Sequence, residues 1–219
     1  MKNTILKNTA PHHLAWLGPA VLVGSLLPLV LMAHGALTGN LGANPIERIL
    51  NQTGLLALIL LLASLALTPL RLLSSWTWPA RLRRLLGLLA FTYALLHFLT
   101  YAVLDRGLQL GALAEDIAKR PFITVGFVAL VLLIPLAVTS TKGSVRRLGY
   151  QKWQRLHQLV YLAAALGILH FIWRVKRDAT EPFIYAALLV CLFAVRIIWA
   201  ARKRRETPRL SVPVRNRDD

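Results

Sequence analysis

The stretch RRLLGLLAFTYALLHFLTY, residues Arg83–Tyr101, shows the features from which the fold of this chain can be predicted. It begins with two arginines, continues with a long apolar run, and places His97 near the far end of that run. A hydrocarbon core of about 30 Å needs about 20 apolar residues of helix, so the segment is long enough to cross a membrane. An ionisable residue inside such a segment is rare and indicates a functional site.

Five other stretches of the chain have the same character, and 56% of its 219 residues are hydrophobic. None shows the alternation of a membrane barrel, and Asn40–Pro45 after the first stretch does not resemble a signal-peptide cleavage site. We therefore predict an all-α bundle of six transmembrane helices at residues 14–202, preceded by segment 1–13 and followed by a basic, disordered tail, 203–219. The predicted spans are Leu14–Ala33, Asn51–Leu67, Leu85–Leu104, Phe122–Val138, Leu156–Trp173 and Phe183–Ala200.

The net charge of +17 would suit nucleic-acid binding, but its distribution favours a membrane orientation. With six spans, 18 of the 26 basic residues lie on one side, and the positive-inside rule makes that side, with both termini, cytoplasmic. We expect a multi-pass protein of the bacterial inner membrane, in contact with anionic lipid and with no nucleic-acid partner. The 18 basic residues on the predicted cytoplasmic side are Lys2, Lys7, Arg71, Arg81, Arg83, Arg84, Lys142, Arg146, Arg147, Lys152, Arg155 and the basic residues of the tail from Arg202 to Arg217.

The chemistry of soluble enzymes has little support in the sequence. A single cysteine, Cys191, excludes an internal disulfide, a Cys-x-x-Cys pair and a cysteine-ligated iron–sulfur cluster. The chain also has no GxxxxGK[ST], GxSxG or HExxH pattern, so it offers no phosphate-binding loop, nucleophile elbow or zinc-protease helix.

Three histidines, His97, His157 and His170, lie in or at the edge of predicted spans. A helix rises 1.5 Å per residue, so His157 and His170 are separated by about 20 Å along the fifth span. His97 lies about 20 Å beyond Arg83 on the third span, which places it at the depth of His170, in the outer half of the membrane. Two imidazoles at one depth on different helices suit bis-histidine ligation of a haem. The alternative is three separate polar groups, each hydrogen-bonded inside the bundle.

At the depth of His157 the third span offers Arg83 instead of a histidine. Arg83 and His97 differ by about 40° around the helix, so both face the same neighbour. A guanidinium stays protonated, so we expect Arg83 to pair with a haem propionate, with a snorkelling interfacial arginine as the alternative. His157 and His170 differ by about 140°, and Gly167 is the residue that could permit a local adjustment of their helix.

An ordered set of motifs makes the chain resemble the MsrQ family, formerly called YedZ, within the ferric-reductase-like transmembrane superfamily that also contains the NADPH oxidases. The resemblance covers roughly residues 44 to 177. The motifs are NPIERILNQTG (Asn44–Gly54), TPLR (Thr68–Arg71), the opening stretch Arg83–Tyr101, DIAKRPFITVG (Asp116–Gly126), LAVTS (Leu136–Ser140), LGYQKWQRLHQLVYL (Leu148–Leu162) and HFIWRVK (His170–Lys176).

The resemblance implies an electron-transfer subunit without methionine sulfoxide chemistry of its own. Such subunits bind haem b and FMN, oxidise quinol, and pass electrons to MsrP, a periplasmic molybdenum-cofactor reductase that repairs oxidised methionines. His97, His157 and His170 match the haem histidines of the family, and Arg83 matches its arginine before the third span. NADPH oxidases use four histidines for two haems; this chain lacks the fourth, which leaves one or two haems and the second ligand of the inner haem open. The flavin and the quinone rest on the resemblance alone.

Two classes of function remain at this point: a haem-bearing redox subunit, and a cofactor-free transporter or structural membrane subunit. A transporter would more often show inverted repeats or broken spans in corresponding halves, and the sequence shows no such repeat. The external segments carry mixed charge, which suits a transient, salt-dependent interface. We therefore predict that the periplasmic reductase docks over Asp105–Arg120 and Arg174–Glu181, with ordinary solvated loops as the alternative.

Overall fold

The computed structural model describes residues 16–74, 78–176 and 178–206, apart from the side chains of 80, 81 and 203–206. The predicted N-terminal segment 1–13, residue Arg177 and most of the predicted tail therefore lie outside the described residues. Within the described ranges the chain is helical and contains no strand. The helices are α1 (Leu17–Leu37), α2 (Pro45–Ser74), α3 (Pro79–Leu99), α4 (Leu110–Lys119), α5 (Pro121–Val138), α6 (Lys142–Leu148), α7 (Tyr150–His157), α8 (Leu159–Arg174) and α9 (Thr180–Glu206).

The prediction of an all-α, six-helix transmembrane bundle is confirmed. Six segments are long and apolar enough to cross a membrane, and each overlaps one predicted span. Their bounds are Leu17–Leu37, Pro45–Ser74, Leu82–Asp105, Pro121–Val138, Tyr150–Arg174 and Thr180–Arg202. Successive spans run in opposite directions, so α4 lies at one end of the bundle and α6 at the other. We call these ends the α4 side and the α6 side.

Local sequence explains where several helices begin. Helices α2, α3 and α5 each start at a proline, which suits the first helical turn because its missing N–H would have no partner there. Before α2, the Asn44 side chain accepts the backbone N–H of Glu47 at 3.3 Å and donates to its carboxylate at 2.9 Å. Gly149 joins α6 to α7 at a φ of 75°, a conformation that favours glycine.

Helix α2 occupies the centre of the bundle and α3 packs beside it. In its most apolar window 44% of the residues of α2 are buried, against 11% for α1 and for α9, which lie at the periphery. Tyr93 of α3 is fully buried, and its hydroxyl donates to the backbone carbonyl of Ser25 in α1 at 2.5 Å. This core fixes the rotation of α3 and therefore the direction in which its histidine projects.

Three local features differ from the regular spans predicted above. The fifth span is interrupted at Gln158, between α7 and α8, and not at Gly167, which lies within the continuous helix α8. The third span ends in a π-helical segment, Thr100–Asp105, which directly follows α3. Helix α9 continues through Glu206, so the first residues of the predicted tail are helical.

Candidate cofactor site

The structure brings His97 of α3 and His170 of α8 together. Their ring centroids are 6.1 Å apart and the ring planes are nearly perpendicular, at 77°. Both side chains line a cavity of about 360 Å³ that α2, α3, α5 and α8 enclose towards the α4 side. The walls of the cavity include Leu58, Phe127 and Gly167, so the histidines face an apolar space.

Both histidines are held by the backbone of a neighbouring helix. Nδ1 of His97 lies 2.9 Å from the carbonyl oxygen of Leu50 in α2, and Nδ1 of His170 lies 2.6 Å from that of Phe122 in α5. A carbonyl oxygen can only accept, so each Nδ1 carries the hydrogen and donates it. In a neutral ring the lone pair is then on Nε2, which is the protonation state of a metal-binding histidine whose other nitrogen is oriented by the protein.

Two glycines, which sequence reasoning did not select, make these contacts possible. Gly54 follows Leu50 by four residues in α2, and Gly126 follows Phe122 by four residues in α5. A Cβ atom on Gly54 would lie 3.0 Å from Nδ1 of His97, and one on Gly126 would lie 2.7 Å from Nδ1 of His170. Each imidazole therefore rests against a bare helical turn. The available signal was a glycine at the end of both NPIERILNQTG and DIAKRPFITVG.

The donor set fits an iron porphyrin better than a metal ion bound by protein alone. In the part of the chain that the structure describes, no group of three or more His, Cys, Asp or Glu side chains could hold a metal ion. Two imidazoles bound to one metal at about 2 Å place their ring centroids about 6 Å apart, which matches the separation of His97 and His170. His97 and His170 would hold the iron of a haem, and the macrocycle would supply the remaining ligands.

Cationic side chains surround the α4-side end of the cavity. Arg174, one helical turn after His170, donates to the side chain of Asn51. The buried carboxylate of Asp116 pairs with Arg106 at 2.5 Å and with Arg120 at 3.0 Å.

The third span is followed by a connecting segment that contains α4. The ion pairs of Asp116 link Arg106, at the start of this segment, to Arg120, at its end. The hydroxyl of Tyr101 donates to Asp116 and accepts from Nε of Arg106 at 3.2 Å. The hydrogen bond with Tyr101 raises the pKa of Arg106 above its ordinary value. This network attaches α4 to the end of the third span, above the paired histidines.

His157 lies apart from the other two histidines, at the end of α7. Its Nε2 is 3.1 Å from the hydroxyl oxygen of Thr139, and its ring stacks on Trp153 with centroids 4.0 Å apart. The Thr139 hydroxyl donates to the Pro135 carbonyl at 2.6 Å, so it accepts from His157. To bind a metal through Nε2, His157 would exchange this hydrogen bond for the metal bond.

Arg83 is near the level of His157 and belongs to a polar cluster on α2 and α3. Its guanidinium lies 3.4 Å from the Thr68 hydroxyl, and its backbone carbonyl accepts from Ser64 at 3.0 Å. Arg83 is close enough to His157 for their charges to interact. The structure therefore brings His97 and His170 together and places Arg83 and His157 outside that pair, each with its own hydrogen-bond partner.

Comparison with known proteins places this arrangement in a family. The sequence model of the family described as "Ferric reductase like transmembrane component" matches residues 53–168, a stretch that contains His97 and His157 and ends just before His170. The chain is 53% identical over 195 residues to a Deinococcus radiodurans protein, covering 89% of this chain and 96% of that one. That relative is named protein-methionine-sulfoxide reductase heme-binding subunit MsrQ. The chain belongs to the MsrQ family.

Two other MsrQ proteins support the same assignment. The relative from Rhodospirillum rubrum is 55% identical over 186 residues, 85% of this chain and 89% of its own length. The relative from Herminiimonas arsenicoxydans is 48% identical over 204 residues, 92% of this chain and 94% of its own length. Both carry the name of the Deinococcus protein. No solved structure matches the chain.

Proposed function

We propose that this chain is the haem-containing electron-transfer subunit of a methionine sulfoxide reductase system in the bacterial inner membrane. In this proposal it takes electrons from quinol and delivers them to the periplasmic reductase MsrP, while the repair of oxidised methionine takes place on MsrP. The names of the relatives support a heme-binding subunit of such a system. The quinol and MsrP follow from the resemblance of the motifs to the MsrQ family.

The pairing of His97 with His170 carries the proposal. Two oriented imidazoles, whose Nε2 atoms make no hydrogen bond to the described residues, face one largely apolar cavity inside a membrane domain. A haem held there would take up and release one electron at a time. A Cys-x-x-Cys-His attachment site is impossible with one cysteine in the chain, so we propose a non-covalent haem b.

We propose that the α4 side faces the periplasm, because the positive-inside rule places the opposite side in the cytoplasm. The paired histidines would then lie near the surface from which electrons leave. The C-terminal half of α4 carries exposed side chains of both charges, as in the Lys119–Glu115 ion pair at 2.6 Å. We propose that MsrP docks over Asp105–Arg120 and Arg174–Glu181, because Asp105, Arg106, Arg120 and Arg174 of these ranges line the cavity.

On the α6 side, His157 and Arg83 are our candidates for a second haem site or for the border of the quinol site. The contacts of His157 with Thr139 and Trp153 hold its ring, and Arg83 supplies a nearby positive charge. The number of haems in the proposal is therefore one or two. FMN is proposed as a further cofactor on the resemblance alone, with no residues assigned to it.

Spectroscopy of the purified full chain tests the proposal. We expect a Soret band and reduced-state peaks from protein produced with ample haem, with a low-spin signal that His97→Ala and His170→Ala both remove. The matched control is His34→Ala, because His34 is an exposed histidine of α1 and does not line the cavity. A colourless wild-type protein would exclude the haem, and an unchanged low-spin signal in both variants would exclude these ligands.

A further inference from the structure

Arg196 is a charged residue inside the sixth span that no part of the proposed electron path uses. It lies in Thr180–Arg202 and contacts two other helices. Its Nη1 donates to the Tyr161 hydroxyl of α8, and its Nη2 donates to the Leu65 carbonyl of α2 at 2.5 Å. Its guanidinium also lies over the Tyr161 ring, 5.2 Å from the centroid. A charge held inside a membrane bundle is costly and indicates a function.

The contact with Leu65 depends on a proline in α2. In a regular helix the carbonyl of Leu65 would accept the N–H of the residue four positions later, but that residue is Pro69, which has no N–H. The carbonyl is therefore free to accept from Arg196. Pro69 therefore leaves a hydrogen-bond acceptor for Arg196 in α2, the most buried helix of the bundle.

Neutral partners leave the charge of Arg196 uncompensated. Leu65 and Tyr161 supply a carbonyl and a hydroxyl, and the buried Nε has no hydrogen-bond partner among the described residues. Arg83 contacts the hydroxyl of Thr68, one turn of α2 after the Leu65 carbonyl that accepts from Arg196, so the two guanidiniums lie along the same part of that helix. Within the described part of the chain neither arginine forms an ion pair, since the ion pairs found there belong to Arg106, Lys119 and Arg120.

The sequence offers this half of the bundle no carboxylate whose side chain the structure describes. It has no Asp or Glu between Glu47 and Asp105, between Asp116 and Asp178, or between Glu181 and Glu206. Glu206 is ten residues from Arg196, about 15 Å along the helix. Asp218 and Asp219 lie outside the described residues. Two guanidiniums with no described carboxylate beside them form a site for an anion.

We propose that Arg196 and Arg83 together form an anion-binding site inside the α6-side half of the bundle. The site takes a carboxylate or phosphate oxygen of an amphiphilic ligand, since its surroundings are membrane spans. Such an oxygen can come from a haem propionate or from the headgroup of an anionic lipid. Only the first source rests on the proposed function.

The first arm of the test isolates a propionate. Haem-depleted full-length protein in phosphatidylcholine nanodiscs is titrated with haemin and with haemin dimethyl ester, whose propionates carry no charge. We expect haemin to bind the α6-side site about 10- to 100-fold more tightly than the ester, because hydrogen bonds to charged groups are strong. Arg196→Gln should remove most of this difference, whereas Arg202→Gln, an exposed arginine of the same helix, should retain it.

The second arm isolates a lipid phosphate. Thermal unfolding is measured in nanodiscs with and without phosphatidylglycerol. We expect the anionic lipid to raise the midpoint less for Arg196→Gln than for wild type and for Arg202→Gln, which removes one arginine of the exposed basic belt. If Arg196→Gln does not fold, Arg83→Gln tests the same anion from α3. An effect of Arg196→Gln on haemin binding or on stabilisation by lipid supports the site. The arm in which the effect appears identifies the source of the anion.

The inference would be overturned if Arg196→Gln changed neither the preference for haemin over its ester nor the stabilisation by phosphatidylglycerol. A chain that binds no haem would defeat the proposed function, while the lipid arm would still test the anion site. A chain that binds haem normally but shows no effect of Arg196 in either arm would defeat this inference alone.

Discussion

Replacing Gly126 with alanine should loosen His170 without weakening the helix that carries the glycine. The new Cβ would lie 2.7 Å from Nδ1 and 3.0 Å from Cε1 and Cγ of His170, whereas ordinary contacts begin at 3.4 Å. The imidazole must move by about 0.7 Å, and it is a ring bound to the Phe122 carbonyl rather than the end of a flexible chain. Alanine itself favours a helix by about 1 kcal/mol over glycine, so a loss of function would not reflect unfolding.

The expected loss of haem affinity follows from the contacts that the displaced His170 ring loses. Its hydrogen bond to Phe122 contributes about 1 kcal/mol, and removing a group that orients a metal-binding histidine typically costs about 10- to 100-fold in affinity. We expect Gly126→Ala to lower haem affinity within that range. Gly54→Ala should have a smaller effect, because the corresponding Cβ lies 3.0 Å from Nδ1 of His97.

The assay is the haem content per chain and the low-spin absorption spectrum of each purified variant, followed by titration with haemin. Gly24→Ala is the matched control, since a Cβ at that position of α1 meets nothing within 4 Å. If Gly126→Ala binds haem as tightly as wild type, with the same spectrum, the contact between glycine and imidazole does not orient the ligand.

Three further predictions concern the two ends of the bundle. His157→Ala should slow reduction by quinol in stopped-flow measurements while the spectrum of the His97–His170 haem persists; a wild-type rate would place the donor site elsewhere. Lys119→Glu combined with Lys176→Glu should reduce electron delivery to MsrP in a salt-dependent manner, while Lys142→Glu on the α6 side should not; equal transfer at every ionic strength would contradict the docking surface. Asp116→Asn should weaken the attachment of α4, because Arg106 and Arg120 lose their shared carboxylate, and hydrogen exchange in α4 should increase; unchanged exchange would show that this network is not needed.

The depth of each histidine could be predicted from the sequence because the rise of a helix is fixed. Six apolar stretches give six spans, and counting residues from Arg83 and from His157 places His97 and His170 at one level. The direction of each ring could not be predicted in this way. It depends on contacts with α2 and α5, through the carbonyls of Leu50 and Phe122, and these residues are far away in the sequence.

Features that arise from packing between distant helices were also missed. The break at Gln158 has no glycine or proline to mark it, and Gly167 instead lines the cavity. The sequence places Arg196 within an apolar span, but its acceptor, the Leu65 carbonyl, is available only because of Pro69 in another helix. Sequence periodicity reports each helix separately, so it carries no information about which carbonyl faces which side chain.

Electron paramagnetic resonance of the oxidised, purified protein tests most directly whether His97 and His170 bind the same iron. Their rings face each other at a centroid distance of 6.1 Å, and an iron that both histidines would hold should give a low-spin ferric haem signal. We predict this signal in the wild type and its loss in both His97→Gly and His170→Gly, with recovery of a low-spin haem when imidazole is added to either variant. A low-spin signal that survives both substitutions unchanged would contradict the account.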